Sequence, residues 1–326
     1  MPISSPVSTV PRSGARGVAG LVLAALFWAG NYVFGAIAVT SMDPFSLTLL
    51  RWAGALVPLL VLAQLIERPN WRALLRHWRF LALRGALGLA GYSLLLYLAL
   101  AHTTALAASL INAANPALIA IAARVWLGDR LTRRGIAGVL VALLGVLVVL
   151  TDGDVAALVG KPLGLGDLAM LGAIAAWTAY TIAARLGPEL PPTSATAMEA
   201  ALVVVGMAVI APFVGVTAPQ SAAAAWSLAF IVVFPSCASY VLWNRSLAIV
   251  RPAVAGVSLN LITVFAVAAS VFLGVPITAA QGVGGIVVIA GVVLTSLSGR
   301  PAPVTNPTGE SPAGPVGVAD LVQKLL

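Results

Sequence analysis

The amino-acid sequence predicts an all-α polytopic membrane protein, with ten transmembrane helices in two inverted five-helix repeats. Three observations carry this prediction. The 326-residue chain is 60% hydrophobic and only 9% charged, whereas roughly a quarter of a soluble domain is charged. No soluble core hides so much apolar side chain, and the apolar residues gather into ten runs of bilayer-crossing character. The chain also matches itself at a shift of 146 residues, where LGDRLT (127–132) answers LGVPIT (273–278). Gly138/Gly284, Val141/Val287, Gly145/Gly291 and Val146/Val292 continue the match, and Trp28/Trp177 and Pro44/Pro192 fall near it after small changes in loop length. Five spans per half is an odd number, so the halves enter the bilayer from opposite sides, an arrangement found in alternating-access transporters. The paired glycines read as close helix packing.

Residues 1–16, rich in Ser and Pro, read as a disordered tail. Residues 17–39 form span one, too long an apolar run for a signal peptide's core and therefore retained. Ser41-Met42-Asp43-Pro44 turns the chain into span two, 44–66. In the basic segment 67–84, Trp71, Leu74, Leu75 and Trp78 follow helical spacing with Arg72, Arg76 and Arg79 mostly off the stripe, which predicts an amphipathic helix lying on the membrane. Spans three, four and five cover 81–101, 105–127 and 135–150, closing a first repeat at 17–151. A linker at 152–164 leads into a second repeat at 165–298, with spans six to ten at 165–186, 193–214, 226–247, 253–273 and 279–297. Residues 299–326 read as a mostly disordered tail.

Charge sets the orientation. The net charge is +8, but the arginines are scattered between spans, which speaks for topology signals and against nucleic-acid binding. With ten spans and both termini in the cytoplasm, the inner side collects Arg12, Arg16, the 68–84 cluster, Arg124, Arg130, Arg133, Arg134, Arg185, Arg245, Arg251, Arg300 and Lys324, and the outer side keeps only Lys161. Cys237 is the only cysteine, so an intrachain disulfide or a thiolate metal cluster is excluded. No zinc-type His/Glu pair, phosphate-binding GxxxxGK[ST] loop or Ser-His-Asp set occurs within the spans. An enzyme and an ATP-driven pump are therefore not expected, and neither a cofactor nor a metal is implied.

Span four carries the strongest site signal. Ser109, Asn112 and Asn115 repeat at i, i+3, i+6 and place three polar side chains on one helix face. Hydrocarbon penalises that face, so it looks at protein or at a water-filled cavity. Pro116 removes a backbone donor beside it and marks a hinge. In the second half Ser258 answers Asn112, and Asn260 stands nearby. These five residues are candidates for a solute's ammonium and carboxylate. Tyr92 and Tyr240 lie deep enough to clamp a planar solute, with Ser239 beside them. Tyr97 and Trp243 lie nearer the span ends, where clamp and interfacial anchor are both open readings. Asn31 follows Trp28 by three positions and Tyr180 follows Trp177 by three, and each pair fits either solute contact or helix-to-helix bonding. Arg51 and Glu199 are the two charges farthest inside spans. Matched positions of inverted halves sit in opposite leaflets, so the two read as independent, Arg51 reaching for headgroups or a carbonyl and Glu199 facing a cavity as the candidate for proton coupling.

The FWAGNY of span one, the DPFSLTLLRWAGA entering span two and the run YLALAHTTALAASLINAANPALIAIAARVWLGDRLT resemble the EamA family of the drug/metabolite transporter superfamily, over about residues 17–298. Within it the chain is most similar to the YddG-type exporters of aromatic amino acids. The resemblance implies export of small metabolites from the cytoplasm across a bacterial inner membrane, by a multi-pass protein working as a monomer, with spans three, four, eight and nine lining the path. Aromatic amino acids are the expected solutes, with other metabolites or toxic aromatic cations as the alternative and a non-transporting sensor or scaffold as the more remote one. The second copy departs from the family pattern. Val275 and Pro276 stand where an acid is usual, and Leu261-Ile262 stand opposite Asn115-Pro116, so the second half is expected to bend differently.

Overall fold

The computed structural model describes residues 12–129, 132–154, 163–247, 249–250 and 258–297. The helices are α1 (Arg12–Ala38), α2 (Pro44–Ile66), α3 (Trp71–Leu75), α4 (Trp78–His102), α5 (Ala105–Asn112), α6 (Asn115–Trp126), α7 (Arg133–Leu150), α8 (Leu165–Leu186), α9 (Pro192–Val214), α10 (Ala222–Leu247), α11 (Asn260–Phe272) and α12 (Ala279–Leu297). No strand occurs among the described residues. Eight stretches are long and apolar enough to cross a membrane, α5 and α6 counted as one, and α11 and α12 are shorter apolar helices. Large apolar side chains stand on the outside, Phe213 at 86% and Phe272 at 91% exposure, as lipid-facing residues do. The tail expected at 299–326 and most of the linker expected at 152–164 lie outside the described residues, and α1 is already helical at Arg12.

The self-match at 127–132 and 273–278 has a physical cause. Gly128 (φ +71°) and Gly274 (φ +76°) both take the left-handed conformation that ends a helix. No atom stands within 4 Å of a Cβ on either, so the backbone angle demands glycine and space does not. Four residues on, the threonine caps the next helix. Thr132 Oγ1 accepts from the Gly135 amide and Thr278 Oγ1 from the Gln281 amide, both at 3.1 Å. LGxxxT is thus a complete stop-and-restart unit, used once in each half.

Inversion shows in how equivalent spans meet. In α7 against α12, a Cβ on Gly138 would lie 2.6 Å from the Gly291 carbonyl oxygen, and one on Gly145 would lie 2.7 Å from that of Gly284. Rising numbers on one helix meet falling numbers on the other, so these two equivalent helices run antiparallel. Spans two and seven repeat the pattern. Glu67, capping the end of α2, accepts from the Thr193 and Ser194 amides (2.8 Å each) at the start of α9. Ser46 Oγ at the start of α2 accepts from the Thr217 amide (2.8 Å) beyond the end of α9. Helices equivalent in sequence but opposite in direction place the two halves upside down to one another.

Two further irregularities correspond. α4 contains a π-helical segment, Gly85–Gly91, and α10 another, Phe234–Ala238. The 146-residue shift carries the second onto 88–92, overlapping the first. Each widened turn spares a carbonyl, and an indole takes it: Trp52 Nε1 donates to Leu89 O (3.0 Å) and Trp28 Nε1 to Pro235 O (3.2 Å).

The basic segment departs from expectation. In place of one amphipathic helix over 67–84 there is the short α3, capped by Asn70, whose side chain accepts from the Ala73 amide (3.2 Å). His77 (φ −98°, ψ 21°) breaks it, and α4 begins at Trp78. Leu74 is buried, while Leu75 and Trp78 are exposed. The helix thus starts three residues before the span expected at 81–101, and Arg84 lies inside it.

Candidate functional site

Span four is broken where the proline requires it. Pro116 has no N–H for the Asn112 carbonyl, and its ring crowds that carbonyl. α5 therefore ends at Asn112, Ala113 and Ala114 form a turn, and α6 restarts at Asn115. α11 starts at Asn260, within one residue of the position matched to Asn115. The expected difference in bend between the halves rests on residues 251–257, outside the described residues.

A cavity lies between the two halves at this break, with about 690 Å³ of empty space, open solvent included. From the first half come Trp28, Asn31 and Tyr32 of α1, Arg51 and Trp52 of α2, Tyr92 and Ser93 of α4, and Asn112, Asn115 and Pro116 at the break. From the second come Trp177 of α8, Tyr240 of α10, and Asn260 and Ile262 of α11. Spans one, two and six therefore join the four that the resemblance implied.

Its walls combine rings and amides. Tyr240 meets Trp28 edge-on (centroids 5.7 Å) and Trp52 likewise (5.9 Å), and Tyr92 tilts against Trp177 (5.2 Å). The Tyr32 and Tyr92 hydroxyls share a hydrogen bond of 3.0 Å. Asn115 Oδ1 accepts from Thr178 Oγ1 (3.2 Å). Asn112 and Asn260 are 8% and 5% exposed, and Asn112 Oδ1 and both polar side-chain atoms of Asn260 have no hydrogen-bond partner among the described residues. Such groups are costly to bury unpaired, and both residues line the cavity.

Of the residues singled out from sequence, Asn31, Tyr92, Asn112, Asn115, Pro116, Trp177, Tyr240 and Asn260 come together here. Ser109, Tyr180, Ser239, Ser258 and Glu199 do not line the cavity. Ser109 donates to Leu106 O (2.8 Å) within its own helix, where a serine readily bonds back. Ser239 donates to Ala24 O (3.2 Å) on α1. Ser258 is buried. Glu199, fully buried, forms an ion pair with Arg84 (Nε to Oε1, 3.2 Å) and faces no part of this cavity. Tyr180 accepts from Arg84 Nη2 (3.1 Å) and stacks beside Trp177 (5.1 Å).

Arg51 is the main correction. It does not reach for headgroups or a carbonyl. It is 3% exposed and lines the cavity. Its Nε donates to Ser236 Oγ (3.0 Å), and its Nη1 to Tyr97 Oη (2.8 Å) and Ser93 Oγ (3.4 Å). Its guanidinium carbon lies 4.7 Å from the centroid of the Trp52 ring, a cation–π contact. Tyr97 is fully buried and passes its proton donor on to Asn31 Oδ1 (2.9 Å), so it supports the cavity wall and is no interfacial anchor. A sequence signal for Arg51 did exist. Arg51, Ala55, Leu59 and Ala63 form one i, i+4 row, all buried, opposite the exposed Val57, Val61 and Leu65. Small residues mark the packed face of a membrane helix, and Arg51 stands on it.

The EamA-like transporter family matches residues 15–151 and again 164–297. The chain belongs to this family. An EamA-like protein is a transporter and not an enzyme, and this one is a multi-pass membrane protein. Among curated relatives, a "Probable terminal-alkyne amino-acid exporter" of Streptantibioticus cattleyicolor is 30% identical over 86% of this chain and 93% of that one. An uncharacterized transporter of Archaeoglobus fulgidus is 28% identical over 85% of this chain and 96% of its own. The uncharacterized transporter YyaM of Bacillus subtilis is 28% identical over 65% of this chain and 71% of its own. A solved crystal structure superposes with a TM-score of 0.61 at 17% identity, covering 89% of this chain and 99% of that one, which bears on the EamA fold alone.

Proposed function

We propose that this chain exports small aromatic amino acids from the cytoplasm by alternating access through the central cavity. The observation that carries the reading is a chamber between inverted halves, at a broken helix, whose walls pair indole and phenol rings with unsatisfied amides. Rings bind a planar side chain by offset or edge contact. Neutral amides hold a zwitterion's head. The break in span four supplies a point about which the halves rock. The amino-acid exporter among the relatives is consistent with this solute class.

The chain acts as a monomer in a bacterial inner membrane, both termini cytoplasmic, because the arginine-rich loops then lie inside. Transport follows a gradient, since the sequence carries no nucleotide-binding loop. The test is flux of labelled tryptophan or phenylalanine from proteoliposomes holding the purified protein. Flux above that of empty vesicles, abolished by excess unlabelled tryptophan, is the expected result. No flux for any aromatic amino acid overturns the reading.

A further inference from the structure

We propose that Arg51 anchors the solute's carboxylate, so that the cavity takes small aromatic acids with a free carboxylate, amino acids among them, and turns away aromatic amines and cations. This deepens the proposed function and rests on it for the amino-acid part.

Among the described residues that line the cavity, Arg51 is the one that carries a charge. Among the described residues no carboxylate lies within ion-pair distance of it, and its Nη2 has no hydrogen-bond partner, while Nε and Nη1 are held by the hydroxyls of Ser236, Ser93 and Tyr97. Hydroxyls orient a guanidinium but leave its charge in place. A charge at 3% exposure in a membrane interior calls for a counter-charge. The repeat offers none. The position matched to Arg51 is Glu199, and its carboxylate is committed to Arg84 away from the cavity.

A planar fork held by three neutral acceptors, with one edge unpaired, is pre-organised for a carboxylate. Elsewhere in the wall, Asn112 Oδ1 and Asn260 Oδ1 are unpaired acceptors, which suit an ammonium. Trp52, under the Arg51 guanidinium, and Tyr240, edge-on to Trp52, give the ring a place beside the anchored head. A cation in the same chamber meets the guanidinium with nothing to screen the repulsion.

The test is competition against labelled L-tryptophan counterflow in proteoliposomes by four compounds: L-phenylalanine, L-phenylalanine amide, phenethylamine and 3-phenylpropionate. L-Phenylalanine and 3-phenylpropionate are expected to compete, and the amide and the amine to compete at least tenfold more weakly. Arg51→Gln is expected to weaken L-phenylalanine at least tenfold and phenethylamine less than twofold, with Arg51→Lys in between. The wild-type series decides by itself where Arg51→Gln does not fold. Equal competition by phenethylamine and L-phenylalanine overturns the role of Arg51 and leaves amino-acid export standing. If no tryptophan moves, the shift of the wild-type unfolding temperature by the same four compounds decides. Stabilisation by the two carboxylates only upholds Arg51 and removes aromatic amino-acid export; equal stabilisation by the amines, or none by any compound, overturns Arg51.

Discussion

Replacing Glu199 by Gln removes the carboxylate paired with Arg84 and leaves a guanidinium inside span three facing a neutral amide. Breaking a buried pair from one side costs about 3–5 kcal/mol. Three features place this pair at the low end. The Arg84 side chain is 12% exposed. Tyr180 Oη still accepts from Nη2 at 3.1 Å, and the Tyr180 ring lies 4.9 Å from the guanidinium carbon. The ion pair also meets off the hydrogen-bond axis, so neither Glu199 oxygen loses a hydrogen bond. The expected loss is about 3 kcal/mol, or about two decades in the unfolding equilibrium. Arg84→Met combined with Glu199→Met removes both charges and is expected to recover most of it, because a buried pair exchanged for apolar side chains is often neutral. Tryptophan fluorescence during unfolding in mixed micelles measures all three proteins. A Glu199→Gln protein within 0.5 kcal/mol of wild type, or a double variant no more stable than the single one, refutes the reasoning.

Other substitutions test other parts of the account. Asn112→Ala or Asn115→Ala is expected to lower flux several-fold while membrane insertion, followed by detergent extraction and gel filtration, stays normal; wild-type flux in both makes the polar face merely structural. Gly145→Val is expected to cost about 1–3 kcal/mol by overpacking, because even a Cβ there lies 2.6 Å from the Val288 amide nitrogen; unchanged stability contradicts the close crossing of α7 and α12. Acid unfolding probes the α2 cap. Burial raises the Asp43 carboxyl's pKa, but hydrogen bonds from the Ser46 hydroxyl and amide outweigh it and hold it below the ordinary carboxylate value. A lowered folded-state pKa gives stability that is complete above about 3.9 and fades as the pH falls through the folded value. Asp43→Ala is expected to cost about 1 kcal/mol at neutral pH and less below pH 4; a loss that grows on acidification has the wrong sign.

Much of the site was legible because its signals are local. Pro116 dictates a break from covalent structure alone, and the LGxxxT units carry their stop and start within six residues. The unpaired amides announced themselves because asparagine in hydrocarbon needs a partner. What sequence concealed is azimuth. Helical rise places Arg51 about 11 Å in from the start of α2, a depth that fits snorkelling as well as a cavity, and only the small-residue row through Ala55 and Ala63 separates the two. Arg84 was hidden by its neighbours. It continues a basic run that reads as interfacial and stands fourth in the span expected at 81–101, and the break at His77 that starts α4 three residues earlier has no strong signal of its own. Ser109 and Ser239 show the converse error. A serine on the right face can satisfy itself on a backbone carbonyl and take no part in the cavity.

The most direct measurement of the central claim is thiol accessibility at Asn260. The chain has one cysteine, the buried Cys237, so Cys237→Ser gives a silent background and Asn260→Cys a single reporter on the second half of the cavity wall. The account predicts that a small polar methanethiosulfonate labels this cysteine in proteoliposomes and that L-tryptophan slows the labelling in a saturable way. A cysteine that stays unreactive, or reacts at a rate tryptophan does not change while the protein carries tryptophan, contradicts a solute path between the inverted halves.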